Sequence, residues 1–82
     1  MARTFHLTVA KVGEVLFDGE AVSVSLPGSE GVFQVLAGHE ALVAELVAGE
    51  VRIVAADGRA QAFRLEEKGL AEVSNNQATV LL

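Results

Sequence analysis

The sequence predicts an all-β fold, an antiparallel sandwich or barrel of short strands, and three observations carry this. Apolar residues recur with a period of two along most of the chain, which sends alternate side chains to one buried sheet face. Turn-forming residues interrupt these runs at short intervals, as in folds built from many short strands. The 82 residues contain no linker, repeat or low-complexity tract, so residues 1–82 are expected to form one small domain.

The first strand is expected where Phe5, Leu7 and Val9 alternate with His6, Thr8 and Ala10, up to a turn at Val12-Gly13. A further turn is expected at Asp18-Gly19. Beyond it Val22, Val24 and Leu26 alternate with Ser23 and Ser25. Pro27-Gly28 suits a type II turn, because proline presets φ at one central position and glycine tolerates positive φ at the next. Gly31 and Gly38 flank the next segment. Val51, Ile53 and Ala55 then alternate with Arg52 and Val54 up to Asp57-Gly58. Phe63 and Leu65 flank Arg64 before Gly69, and Ala78, Val80 and Leu82 follow the Asn75-Asn76 turn. Asp-Gly and Asn-Asn both accept the positive φ of tight hairpins. Phe5, Phe17, Phe33 and Phe63 are expected in the core. Residues 39–48, His39 to Ala48, resist this pattern: they are strong helix formers bracketed by Gly38 and Gly49. Helix and strand both stay open there.

Composition narrows the function. There is no cysteine, so neither a disulfide nor a thiolate metal site is expected. His6 and His39 are the only histidines, too few for a structural zinc site. The net charge is −5, and Lys11, Arg52, Arg59, Arg64 and Lys68 are scattered among acids. That is not the basic stripe that nucleic-acid binding requires. No apolar run reaches the ~18–20 residues of a membrane span. Met1-Ala2-Arg3-Thr4 has no apolar stretch behind its charge, so it does not read as a signal peptide. Hydrophobic residues nevertheless make up 51%, and so apolar a small domain is expected to have part of its surface covered by a partner.

The residues that could carry chemistry do not assemble into a catalytic set. Gly28-Ser29-Glu30-Gly31 lacks the spacing of a nucleophile elbow or a phosphate loop. It reads either as a tight turn or as an exposed tip offering Ser29 and Glu30 to a partner. His39-Glu40 would place its side chains on opposite faces of a strand, so they could not act together, and a structural or interface role is expected for His39. Glu66-Glu67-Lys68 reads as a solvated cluster before Gly69, short of the oxygen ligands a cation needs. No catalytic residue, cofactor or metal site is expected.

Taken in order, five segments resemble one family. They are Thr4-Phe5-His6-Leu7-Thr8-Val9, Val24-Ser25-Leu26-Pro27-Gly28-Ser29-Glu30-Gly31, Phe33 to His39, Gly49-Glu50-Val51-Arg52-Ile53, and Glu72 to Leu81 with its Glu-Val-Ser-Asn-Asn start. They resemble the N-terminal β-sandwich domain of the epsilon subunit of F-type ATP synthases (delta in mitochondrial naming). The resemblance implies a flattened sandwich of two five-stranded sheets, about ten short strands. It further implies a non-catalytic rotor subunit of the central stalk that links the gamma subunit to the c-subunit ring and couples proton translocation to ATP synthesis. The location implied is peripheral, on the cytoplasmic face of the bacterial inner membrane. Ser29, Glu30, Gly31 and Val32 match the ring-contacting loop, and His39, Leu42 and Val43 match the gamma-contacting segment. The alternative is a stand-alone β-sandwich interaction module derived from that family.

The chain also departs from the family pattern. Ala37, Ala41 and Ala48 stand where prolines are usual, which is what admits helix at 39–48; the resemblance favours strand. Glu67-Lys68-Gly69 replaces Ser-Gly-Gly, and Val32 replaces a residue that is often polar. In the family a C-terminal helical pair inhibits ATP hydrolysis and in some members binds ATP. The sequence ends with the last expected strand, so the resemblance carries neither role over.

Overall fold

A computed structural model describes residues 3–82; Met1 and Ala2 of the N-terminal reading lie outside the described residues. Eight strands follow one another: β1 (Phe5–Lys11), β2 (Glu14–Gly28), β3 (Gly31–Leu36), β4 (Leu42–Leu46), β5 (Gly49–Ala55), β6 (Ala60–Leu65), β7 (Gly69–Ser74) and β8 (Gln77–Leu81). All-β is therefore correct, with eight continuous strands in place of about ten.

The difference lies in β2, which is 15 residues long and serves both layers. Its first half pairs with β1, from Lys11↔Glu14 to Phe5↔Ala21. Its second half is flanked by β3 and β5. One layer thus runs β2–β1–β8–β7–β4 and the other β3–β2–β5–β6, five segments against four. Every pairing is antiparallel except β1–β8. A bulge between Ala21 and Ser23 takes the strand from one layer to the other, because an extra residue bends a strand and increases its twist.

That bulge corrects the reading of Val22. Ala21, Val24 and Leu26 are buried, while Val22 is only half-buried, since the extra residue resets which face points inward. Asp18-Gly19 is no turn either: both residues lie within β2, opposite Thr8 and Leu7. The hairpin expected at Pro27-Gly28 sits two residues later. Gly28 pairs with Gly31 across Ser29-Glu30, and Gly31 supplies the positive φ, 126°.

The open question at 39–48 resolves as strand. Leu42 to Leu46 pairs antiparallel with β7, from Leu42↔Val73 to Leu46↔Gly69. In that register Leu42, Ala44 and Leu46 face inward and Val43 and Glu45 outward, a period of two that helix propensity had obscured. Tertiary pairing overrides a weak local preference. Asn75 and Asn76 take φ of 52° and 59° between the paired Ser74 and Gln77. Positive φ at both central residues is the type I′ pattern.

The core lies between the layers. It includes Phe5, Leu7 and Val9 from β1, Val24 and Leu26 from β2, Leu46, Val51, Ile53, Val73 and Val80, with no polar side chain buried among the described residues. Phe5 alone of the four phenylalanines is fully buried. Phe17, Phe33 and Phe63 are half-buried and pack against the core from its margins.

Candidate functional site

Register assigns every connection to one of two ends. Lys11↔Glu14, Ala10↔Leu81, Leu46↔Gly69, Gly28↔Leu46 and Gly49↔Leu65 all close the ladder at the same end. Val12-Gly13, Ser29-Glu30, Val47-Ala48, Glu66-Glu67-Lys68 and Leu82 therefore cluster there. Thr4, the Leu36–His39 turn, the Ala56–Arg59 turn and Asn75-Asn76 occupy the opposite end of a body 35 Å in its longest dimension.

The two ends differ in chemistry. Among the described residues Val12, Val15, Val32, Val47, Leu70 and Leu81 are exposed toward the first end, Val43 on the outer face of β4 between the ends, and Leu36 at the other. Such a concentration of apolar surface marks a place for a partner. Within the first end, Ser29 and Glu30 project from the β2–β3 hairpin. The hairpin is hydrogen-bonded to β4 through its backbone: Ser29 N–H donates to the Glu45 carbonyl at 3.0 Å, and Val47 N–H donates to the Pro27 carbonyl at 2.9 Å. At its base Gly28 cannot be larger, because a Cβ there would lie 2.7 Å from the Gly31 carbonyl oxygen and 2.9 Å from the Phe33 ring.

The residues matched to the ring-contacting loop, Ser29, Glu30, Gly31 and Val32, thus form one contiguous and exposed tip. Those matched to the gamma-contacting segment do not stay together. His39 lies at the opposite end, half-buried, with Nδ1–H donating to the Glu40 carbonyl at 2.7 Å. This bond takes up the ring against its own neighbour's backbone and leaves the Glu40 carboxylate uninvolved. Leu42 packs inward against the core. Val43 points outward and shares a groove with the β2–β3 hairpin.

Sequence reasoning passed over two residues of this framework. Glu45 walls the groove with Val43, and nothing in the sequence joins it to Glu30 until β4 is paired. Asn76 supports the His39 turn, with Oδ1 accepting from Gly38 N–H at 2.9 Å and Nδ2–H donating to the Thr4 carbonyl at 3.0 Å. Its turn propensity was legible, but its role as a latch was not. The Glu66–Lys68 cluster lines a separate depression of about 450 Å³ with Lys11, Phe63 and Arg64.

Comparison with known proteins agrees with this geometry. Residues 4–82 match the family of the β-sandwich domain of the ATP synthase Delta/Epsilon chain. The chain is 38% identical over 79 residues to the ATP synthase epsilon chain of Chlorobium limicola, covering 96% of this chain and 89% of that protein. It is 42% identical over 78 residues to the epsilon chain of Rhodopseudomonas palustris (strain BisB5), of which it spans only 56%. In fold it is similar to a chain of the Euglena gracilis mitochondrial ATP synthase OSCP/F1/c-ring assembly, with a TM-score of 0.87 and 22% identity over 95% of this chain and 49% of that one. A chain of the Tetrahymena thermophila mitochondrial ATP synthase central stalk/c-ring gives a TM-score of 0.76 at 15% identity, covering 98% and 63%. Both structural likenesses speak to fold. The match along residues 4–82 and the identity to epsilon chains decide the family: this chain belongs to the ATP synthase delta/epsilon chain β-sandwich family, a non-catalytic subunit of the synthase.

Proposed function

We propose that this chain works in the rotor of the ATP synthase central stalk, joining the gamma subunit to the c-subunit ring and so coupling proton translocation to ATP synthesis. The β-sandwich acts as one body. Ser29, Glu30, Gly31 and Val32 contact the ring, while His39, Leu42 and Val43 contact gamma. The chain is peripheral, held at the cytoplasmic face of the bacterial membrane through the complex.

One observation carries this reading. The exposed hairpin tip and the His39 turn lie at opposite ends of one packed sandwich, so a load applied at one end reaches the other through strands and core. A coupling element has to be stiff, and close-packed interiors have low compressibility. The apolar residues exposed around the tip are the surface that such an assembly would cover.

The test is charge reversal at the tip. Glu30 is exposed and its side chain is bonded to nothing among the described residues, so Glu30→Arg should leave folding stability within about 0.5 kcal/mol. It should lower ATP-driven proton pumping in vesicles carrying the reconstituted synthase. Pumping equal to wild type would remove the tip from the ring contact. Calorimetric titration into the organism's own gamma subunit should give a Kd below about 1 μM, roughly −8 kcal/mol. A folded chain that binds neither gamma nor the ring would be a stand-alone module.

A further inference from the structure

The proposed function makes no use of the Glu66-Glu67-Lys68 cluster or of the depression of about 450 Å³ that it lines. This depression lies at the same end of the body as the hairpin tip but on the far side, since β6 and β3 are opposite edges of their layer. Three of the chain's six basic side chains, Lys11, Arg64 and Lys68, line it together, although in the sequence they lie scattered among acids. Arg52 and Arg59 have carboxylate partners in Glu50 and Asp57. Among the described residues Arg64, Lys68, Glu66 and Glu67 enter no ion pair, and Lys11 reaches only Glu14, at 3.5 Å. Leu16, Phe63 and Leu82, half-buried against the core, supply the apolar part of the lining. Glu67 and Lys68 stand where the family pattern reads Ser-Gly, so the site is a feature of this chain rather than of the fold.

Each simpler occupant leaves part of this lining unmatched. A divalent cation wants about six to eight oxygens, and three basic side chains would repel it. Inorganic phosphate would suit those three but not the two carboxylates, and it would leave the apolar side chains facing water. A purely apolar guest would bring a low-dielectric body against all five charges. A zwitterion with an apolar body matches everything. Its phosphate takes paired donors from the Arg64 fork and point charges from Lys11 and Lys68. Its ammonium group donates to Glu66 and Glu67, and its methylenes cover Leu16, Phe63 and Leu82.

We propose that this depression binds a membrane phospholipid whose headgroup carries both a phosphate and a primary amine, the phosphoethanolamine type, with the start of its acyl chains on the apolar side chains. A membrane lipid is favoured over a soluble molecule with the same head because the site shares its end with the hairpin tip, which the proposed function turns toward the membrane. The source of the lipid rests on that reading; the chemistry of its head rests on the lining alone.

The test titrates the isotope-labelled full chain with soluble dihexanoylphosphatidylethanolamine and follows the amide shifts. Shifts are expected at Lys11, Leu16 and Phe63 to Lys68, and none at Ser29 to Val32. Dihexanoylphosphatidylglycerol, which lacks the amine, and free phosphoethanolamine, which lacks the chains, should each bind about tenfold more weakly. An Arg64→Gln/Lys68→Gln variant changes two exposed positions; it should lose about the same factor while its melting temperature stays that of wild type. In co-sedimentation, phosphatidylcholine vesicles should retain the chain only when phosphatidylethanolamine is added. If free phosphoethanolamine binds as well as the lipid, or if the vesicles fail to retain the chain, the occupant is not a membrane lipid and the proposal falls. It falls too if the double variant binds like wild type, or if acetyl-Glu-Leu-Lys-amide shifts these residues and the lipid does not, which would make the site a protein contact. Failure of the rotor reading looks different: the lipid would bind as stated while Glu30→Arg left proton pumping intact.

Discussion

Two hairpins of equal length face opposite ways along the sandwich. Ser29-Glu30 and Asn75-Asn76 each place two residues between a closing pair, Gly28↔Gly31 and Ser74↔Gln77. They spend their side chains differently. The Asn76 amide is consumed inside the fold, latching Gly38 and Thr4. Its turn needs positive φ at both asparagines. At the other hairpin the positive φ belongs to Gly31, which leaves Ser29 and Glu30 in ordinary conformations with free side chains. A turn supported through its backbone can offer its side chains to a partner, whereas a turn supported through its side chains cannot. The first hairpin therefore keeps its side chains available for an interface, and the second is a structural joint.

The largest effect is expected on removing the apolar support of the first hairpin. Leu46 is buried where β4 meets β2 through the Gly28↔Leu46 pair. Leu46→Ala should cost about 2–5 kcal/mol, read as a fall in the urea midpoint. It should also loosen the Ser29–Val32 tip, seen as faster amide exchange there than at Asn75-Asn76. Equal loosening of both hairpins would mean that their supports are not independent.

A smaller effect belongs to the second hairpin. Asn76→Ala loses two hydrogen bonds, each worth about 0.5–1.5 kcal/mol at most for such exposed groups, and puts alanine into the left-handed region. We expect a loss of about 2 kcal/mol. Asn76→Gly keeps the turn and should recover about half of it. If glycine recovers everything, the side-chain latch contributes nothing, and the contrast between the two hairpins reduces to backbone conformation.

The smallest effect is a pH dependence beside that latch. His6, whose N–H donates to the Asn76 carbonyl at 3.1 Å, lies on the outer face between Asp18 (2.7 Å from Nε2) and Glu20 (3.2 Å from Nδ1). Thr8 and Thr4 bond the same carboxylates. Hydrogen bonding to Asp18, then to Glu20, raises the His6 pKa above its ordinary 6.5. A raised folded-state pKa means that the stabilisation is fully present below about pH 6.5. It is lost as the pH climbs through the folded value. The site is open to water, so the effect on the melting temperature should be slight, and His6→Gln should flatten it. A wild-type melting temperature that rises over the same pH range would reverse the sign and refute the assignment.

Much of this was legible in the residues. The alternation Phe5-Leu7-Val9 named three of the most buried side chains, and Asn75-Asn76 named its own turn, because both signals are local. Asp18-Gly19 misled for the opposite reason: a sequence suited to a tight turn was carried straight through by pairing with β1 across seven residues. The four-against-five layering was hidden in the same way, since a strand that changes layers at a bulge has no signature beyond an out-of-phase Val22. Of the candidate site, the Ser29–Val32 tip could be read as one stretch. The groove could not, because its two walls are separate in sequence and meet only once β4 lies against the hairpin, through the Ser29–Glu45 and Val47–Pro27 backbone bonds.

The sequence by itself determined that this chain is a β-protein with an apolar interior, where most of its hairpins turn, and which family it resembles, because period and turn chemistry act over a few residues. The tertiary structure decided what the residues' own pattern left open, that 42–46 are strand as the resemblance favoured, and it alone decided that the tip and the His39 turn stand at opposite ends and that Val43 and Glu45 share a groove with Glu30. Each of these depends on which strands lie side by side, and strand pairing is a long-range choice made by burying a shared face.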